Sequence, residues 1–131
     1  MKVMDSLGKR YHRLVRSFGY AFQGLFNSLK NEQNMQIHFI AGTLVMIGAW
    51  ILELPRNDYI VIFILIGGMV SLELLNTAIE RVVDLVTEEY HPLAKQAKDI
   101  AAAAVLWFAI ISFIIGCVIF YRPFINFVTN L

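Results

Sequence analysis

Apolar residues gather into three long stretches, 37–54, 59–83 and 100–121, each near the roughly 20 residues that a helix needs to cross a hydrocarbon core. Between the first two stands Glu53-Leu54-Pro55-Arg56-Asn57-Asp58, a short run whose proline favours a tight turn between antiparallel helices. The second connection, 87–97, is longer and polar, and Tyr90-His91-Pro92 breaks the helical pattern. Ahead of the first stretch the periodicity changes. Tyr11, Leu14, Val15, Phe18, Phe22, Leu25, Phe26 and Leu29 recur at helical spacing, with Lys9, Arg10, Arg13 and Arg16 mostly on the other side. Over residues 6–30 this predicts an amphipathic helix in the headgroup plane, and it lacks the apolar run of about 7–15 residues that marks a signal peptide. The pattern therefore describes an all-α integral membrane protein, a single domain over residues 1–131, built from one surface helix and three transmembrane helices.

Composition supports the membrane reading. Of 131 residues, 58% are hydrophobic and 16% charged, and the charged share is well below the roughly one quarter usual in soluble domains. A net charge of +1 without a basic, aromatic-interleaved face gives no reason to expect nucleic acid. Cys117 is alone, which excludes a disulfide within one chain. Lys2, Lys9, Arg10, Arg13, Arg16 and Lys30 precede the first stretch, and Arg81, Lys95 and Lys98 surround the second connection. Only Arg56 and Arg122 fall on the opposite side. Because cytoplasmic segments are enriched in Lys and Arg, the N-terminus is expected in the cytoplasm and the C-terminus outside.

The second stretch carries polar residues that lipid would reject. On a regular helix Glu73, Asn76, Glu80 and Asp84 fall at about 0°, 300°, 340° and 20°, an arc of roughly 80°. Glu73 lies about 21 Å along the helix from the outer end of its span, inside the hydrocarbon layer. A carboxylate facing lipid there costs about 2.5–3.5 kcal/mol, so these side chains must meet protein, water or a cation. Polar glue between helices is one use for them. Three acids on one face repel one another, however, and a divalent cation removes that repulsion.

Glu32, just before the first span, and Lys98-Asp99, just before the third, reach the same inner boundary if the helices pack antiparallel. Ala101 to Ala104 permit close helix approach there, or are simply good helix formers. Carboxylates from separate elements suit Mg²⁺, which binds one or two of them together with substrate phosphates. The surface helix is either a simple membrane anchor or one that also lines a binding site, and for the second use Arg13 offers a guanidinium able to clamp a phosphate bidentately. His12, His38 and His91 are scattered without zinc-like pairing, and no nucleotide-binding glycine loop is present; Gly67-Gly68 lies inside a span and is expected to serve helix packing. The residues alone describe a membrane-embedded acidic site facing the cytoplasm, with phosphoryl transfer and proton or ion movement both open.

The run Glu73-Leu-Leu-Asn76-Thr-Ala-Ile-Glu80-Arg-Val-Val-Asp84, followed by Glu89-Tyr90-His91 and Ala97-Lys98-Asp99, strongly resembles the bacterial diacylglycerol kinase and undecaprenol kinase family, as do Gly19-Tyr20 and Asn31-Glu32. The resemblance implies a homotrimer in the bacterial inner membrane whose composite sites draw on neighbouring protomers and transfer the γ-phosphoryl group of ATP to a lipid alcohol. It implies that Glu73 is the catalytic base and Asn76 a supporting amide. Glu32 and Glu80 would hold Mg²⁺, and Arg13, Tyr20, Glu89, His91, Lys98 and Asp99 would contact ATP. Asp84 matches a polar position of the same face. The stretches 34–38 and 66–73 look more like the undecaprenol kinases of Gram-positive bacteria, and Gln23 and Ala102 depart from the Lys and Ser of the diacylglycerol branch. Undecaprenol is therefore the expected acceptor, with diacylglycerol the alternative.

Overall fold

The computed structural model describes the backbone of residues 2–130 and the side chains of residues 10–130. Lys2 and Lys9, counted above among the inner-face cations, have side chains outside that set. Four helices follow one another: α1 (Lys2–Asn31), α2 (Gln33–Ile51), α3 (Arg56–Val86) and α4 (Pro92–Thr129). The chain parts into two units, the first ending at Glu32 and the second beginning at Gln33.

In the first unit α1 is a continuous helix of 30 residues. Its described side chains are nearly all exposed, the apolar Tyr11, Leu14, Val15, Phe18, Phe22 and Phe26 among them.

In the second unit α2, α3 and α4 are each long and apolar enough to cross a membrane, and α3 packs against both of the others. Ala49, Leu54 and Ile62 form the buried end of this packing, with Tyr59, Ile66, Ile119 and Phe120 around them. Small residues set the helix separations. A Cβ at Gly42 would lie 3.3 Å from the Ile66 side chain of α3, and one at Gly68 would lie 2.5 Å from the Phe108 ring of α4. Gly67, expected to share this role, meets nothing within 4 Å. Most other large apolar side chains, Phe39, Leu44, Trp50, Phe63, Trp107 and Phe113 among them, face outward, as lipid or a neighbouring chain requires.

The turn between α2 and α3 follows from local chemistry. Leu54 N–H donates to Ala49 O at 3.0 Å and Glu53 N–H to Trp50 O at 3.2 Å, the paired closure of a helix C-terminus that needs a left-handed residue. Glu53 supplies it with φ 50°, and buried Leu54 packs back on Ala49. Pro55 then enters α3 with φ −68°, and its carbonyl accepts from Asp58 N–H at 3.0 Å.

Helix and apolar span do not coincide. α4 begins at Pro92, ahead of the apolar stretch from residue 100, because His91 caps it: its Nδ1 accepts from Leu93 N–H at 3.3 Å, and proline suits the first helical position. The added turns hold Lys95, Lys98 and Asp99, so the helix carries charged groups below its apolar part.

Candidate active site

Glu73, Asn76 and Thr77 are buried in the middle of α3, Glu73 being only 3% exposed. Burial of a carboxylate is tolerable only with polar partners, and one comes from α2: His38 Nε2 lies 3.1 Å from Glu73 Oε1. One turn along α3, Asn76 Nδ2 donates to Glu80 Oε1 at 3.1 Å, which ties the amide to a half-buried carboxylate. The Asn76 Oδ1 atom is buried and has no hydrogen-bond partner. An unsatisfied buried carbonyl of this kind costs about 1–3 kcal/mol. With the Glu80 carboxylate beside it, the position offers hard oxygen donors, and these fit Mg²⁺. Among the described residues, no three His, Cys, Asp or Glu side chains meet in one cluster.

A second group forms where α3 gives way to α4. Thr87 ends α3, and its Oγ1 accepts from Glu89 N–H at 3.2 Å, which fixes the turn. Lys98 Nζ on α4 bonds Asp84 Oδ1 on α3 at 2.5 Å, closing the two helices across the turn. A cleft of about 340 Å³ opens here, lined among others by Asp84, Glu89, His91, Lys95 and Lys98. Asp99 is not in its wall and pairs with Lys95 along α4.

Glu89, His91 and Lys98 thus share one cleft, while Glu73, Asn76 and Glu80 form a ladder on one face of α3. The helical rise separates Glu73 from Asp84 by about 16 Å, so the ladder runs from the apolar middle of the helix toward the cleft. Arg13, Tyr20 and Glu32 belong to the first unit, with Arg13 and Tyr20 on α1 and Glu32 directly after it. Two polar residues of the second unit take places that the spacing does not predict. His38, a histidine without zinc-like pairing, touches Glu73, and its place inside an apolar span is the signal that points to such a partner. Ser112 lines a cavity between the helices and keeps a buried Oγ without a partner, which an isolated serine in α4 does not announce.

A buried acid ladder leading to a polar cleft at a helix turn is how a membrane protein can bring a water-soluble and a lipid reactant to one place. Residues 19–120 match the family described as prokaryotic diacylglycerol kinase. The chain belongs to that family. It is a membrane enzyme of the lipid-kinase type, and ATP use comes with the family. The chain is 50% identical over 119 residues to an undecaprenol kinase from Bacillus subtilis (strain 168), covering 89% of this chain and 97% of that one. A diacylglycerol kinase from Synechocystis sp. is 40% identical over 114 residues, 86% of this chain and 65% of the relative. A diacylglycerol kinase from Escherichia coli (strain K12) is 31% identical over 114 residues, 87% and 93% of the two chains.

Proposed function

We propose that this protein transfers the γ-phosphoryl group of ATP to the hydroxyl of undecaprenol, giving undecaprenyl phosphate for recycling of the cell-envelope lipid carrier. The observation that carries the reading is the burial of Glu73 within an apolar helix, on a face that continues through Asn76 and Glu80 toward the polar cleft. A base so placed receives a hydroxyl from the bilayer rather than from water. The 50% identity with an undecaprenol kinase, against 31% with the E. coli diacylglycerol kinase, favours the polyprenol over diacylglycerol.

In this reading Glu73 takes the proton of the acceptor hydroxyl as the alcohol oxygen forms its bond to the γ-phosphorus, and the bond from that phosphorus to the β-bridging oxygen breaks to release ADP. Asn76 holds Glu80 in place. Glu80, together with Glu32, would hold Mg²⁺, which supplies charge neutralisation on the phosphates when bound. Lys98, Glu89 and His91 in the cleft, with Asp99 beside it and Arg13 and Tyr20 from α1, would contact ATP. Lys98 and Arg13 suit phosphate oxygens by charge. The protein would work as a homotrimer with sites shared between protomers, α1 in the headgroup plane and the N-terminus in the cytoplasm.

The test is direct. Purified protein in detergent with Mg-ATP and either undecaprenol or diacylglycerol at matched mole fraction should phosphorylate undecaprenol with the larger kcat/KM. A diacylglycerol preference reverses the substrate assignment and leaves the kinase standing, whereas ATP consumption that no lipid alcohol raises defeats both.

A further inference from the structure

The geometry points to His38 as a positioning residue for the Glu73 base: the imidazole Nε2–H donates to Oε1 and holds the carboxylate in the orientation that proton transfer needs. This inference rests on the kinase reading given above. Three observations carry it. The Nε2 to Oε1 distance is 3.1 Å, with the carboxylate almost wholly buried and the imidazole about a quarter exposed, so the bond is made in a medium where charge-assisted bonds are strong. Gly42, one turn further along α2, brings that helix so near α3 that its missing Cβ would touch Ile66 at 3.3 Å, which fixes the reach of His38. His38 also lines the cavity of about 140 Å³ formed with Gly42, Val45, Ile66, Met69 and Ser112, so the residue that meets the carboxylate borders a largely apolar space.

Positioning matters here because a glutamate reaches its substrate through three rotatable bonds, and a misplacement of about 1 Å at a reacting group lowers rate by about 10²-fold. A donor from a second helix removes that freedom. A merely structural partner would satisfy the buried charge and affect stability, with no effect that depends on the base. The two roles separate in kinetics.

His38→Leu keeps the approximate volume and removes the donor. His38→Gln retains an N–H that can reach the same oxygen. With wild-type turnover of undecaprenol measured alongside, His38→Leu is expected to lower kcat by about 10-fold or more while leaving KM for ATP unchanged within about two-fold, the size of one lost hydrogen bond to a charged group. His38→Gln should recover most of the loss. In a Glu73→Gln background the same His38→Leu change should have no further effect on the residual rate, because its action passes through the carboxylate. Unchanged kcat in His38→Leu, equal losses in the Leu and Gln variants, or an undiminished His38 effect in the Glu73→Gln background each overturn the proposal. Absence of lipid phosphorylation by the wild type would instead defeat the kinase reading itself.

Discussion

Replacing Glu73 by glutamine keeps the side-chain volume and removes the place where a proton is received. Glu73→Gln is expected to lower kcat by about 10²-fold or more with ATP affinity largely retained, the usual contribution of a positioned base; near-normal turnover would remove Glu73 from that role. Glu80→Ala acts differently. It deletes one carboxylate and also takes from Asn76 Nδ2 the acceptor it bonds at 3.1 Å, so Mg²⁺-dependent ATP binding should weaken, as titration with Mg²⁺ at fixed ATP would show. Unaltered metal dependence would send the search to other ligands. At this scale the acid ladder was legible because one helix's periodicity puts Glu73, Asn76 and Glu80 on one face and the cost of charge in lipid demands a reason. The His38 contact was not legible, because it joins α2 to α3 and the period of one helix does not say what faces it from another. At His91, where the sequence breaks the helical pattern, the structure shows the cap that begins α4.

The elements answer to rules that act within a few residues. Glu53 occupies a left-handed conformation with φ 50° at the C-terminus of α2, where a residue with a Cβ pays about 1 kcal/mol that glycine does not. Glu53→Gly should therefore raise stability by about that amount in reversible unfolding; a loss would mean that the glutamate side chain has a compensating role. Gly68 behaves oppositely. A methyl there would sit 2.5 Å from the Phe108 ring, so Gly68→Ala is expected to destabilise by about 1–3 kcal/mol and Phe108→Leu to relieve most of that cost. Independent, additive effects would show that α3 and α4 do not meet through this pair. The apolar runs marked where helices cross a membrane, but they did not mark where helices end. α4 extends to Pro92 through polar turns that hydropathy leaves out, and its start is set by the cap at His91 and the proline after it. The turn at 53–55 was legible from Pro55, while its positive φ at a glutamate was not, since glycine or asparagine is the usual occupant.

For the whole molecule, one chain leaves much unmatched. Large apolar side chains point outward from all three spanning helices, Asn76 Oδ1 is buried without a partner, and the described residues bring no three potential metal ligands together. Lipid accounts for the outward apolar side chains as well as a neighbouring chain does, and the composite homotrimer proposed above would complete the site from other protomers. Complementation tests it. Glu32→Ala and Glu73→Gln chains should each be nearly inactive alone. If Glu32 and Glu73 of one site come from different protomers, co-assembly of the two variants in equal amounts creates some sites with both native carboxylates, about a quarter of them under random mixing. Kinase activity should then return to about a quarter of the wild-type value per chain, and should do so only when the chains are mixed before assembly, not when finished oligomers are combined. If both carboxylates belong to one protomer, no mixed assembly holds a complete site, and activity stays at the level of the separate variants. Crosslinking of the same mixtures reads the oligomer size independently, so a failure of complementation in an intact trimer assigns the site to single protomers, whereas a monomer that retains full activity removes the trimer from the mechanism.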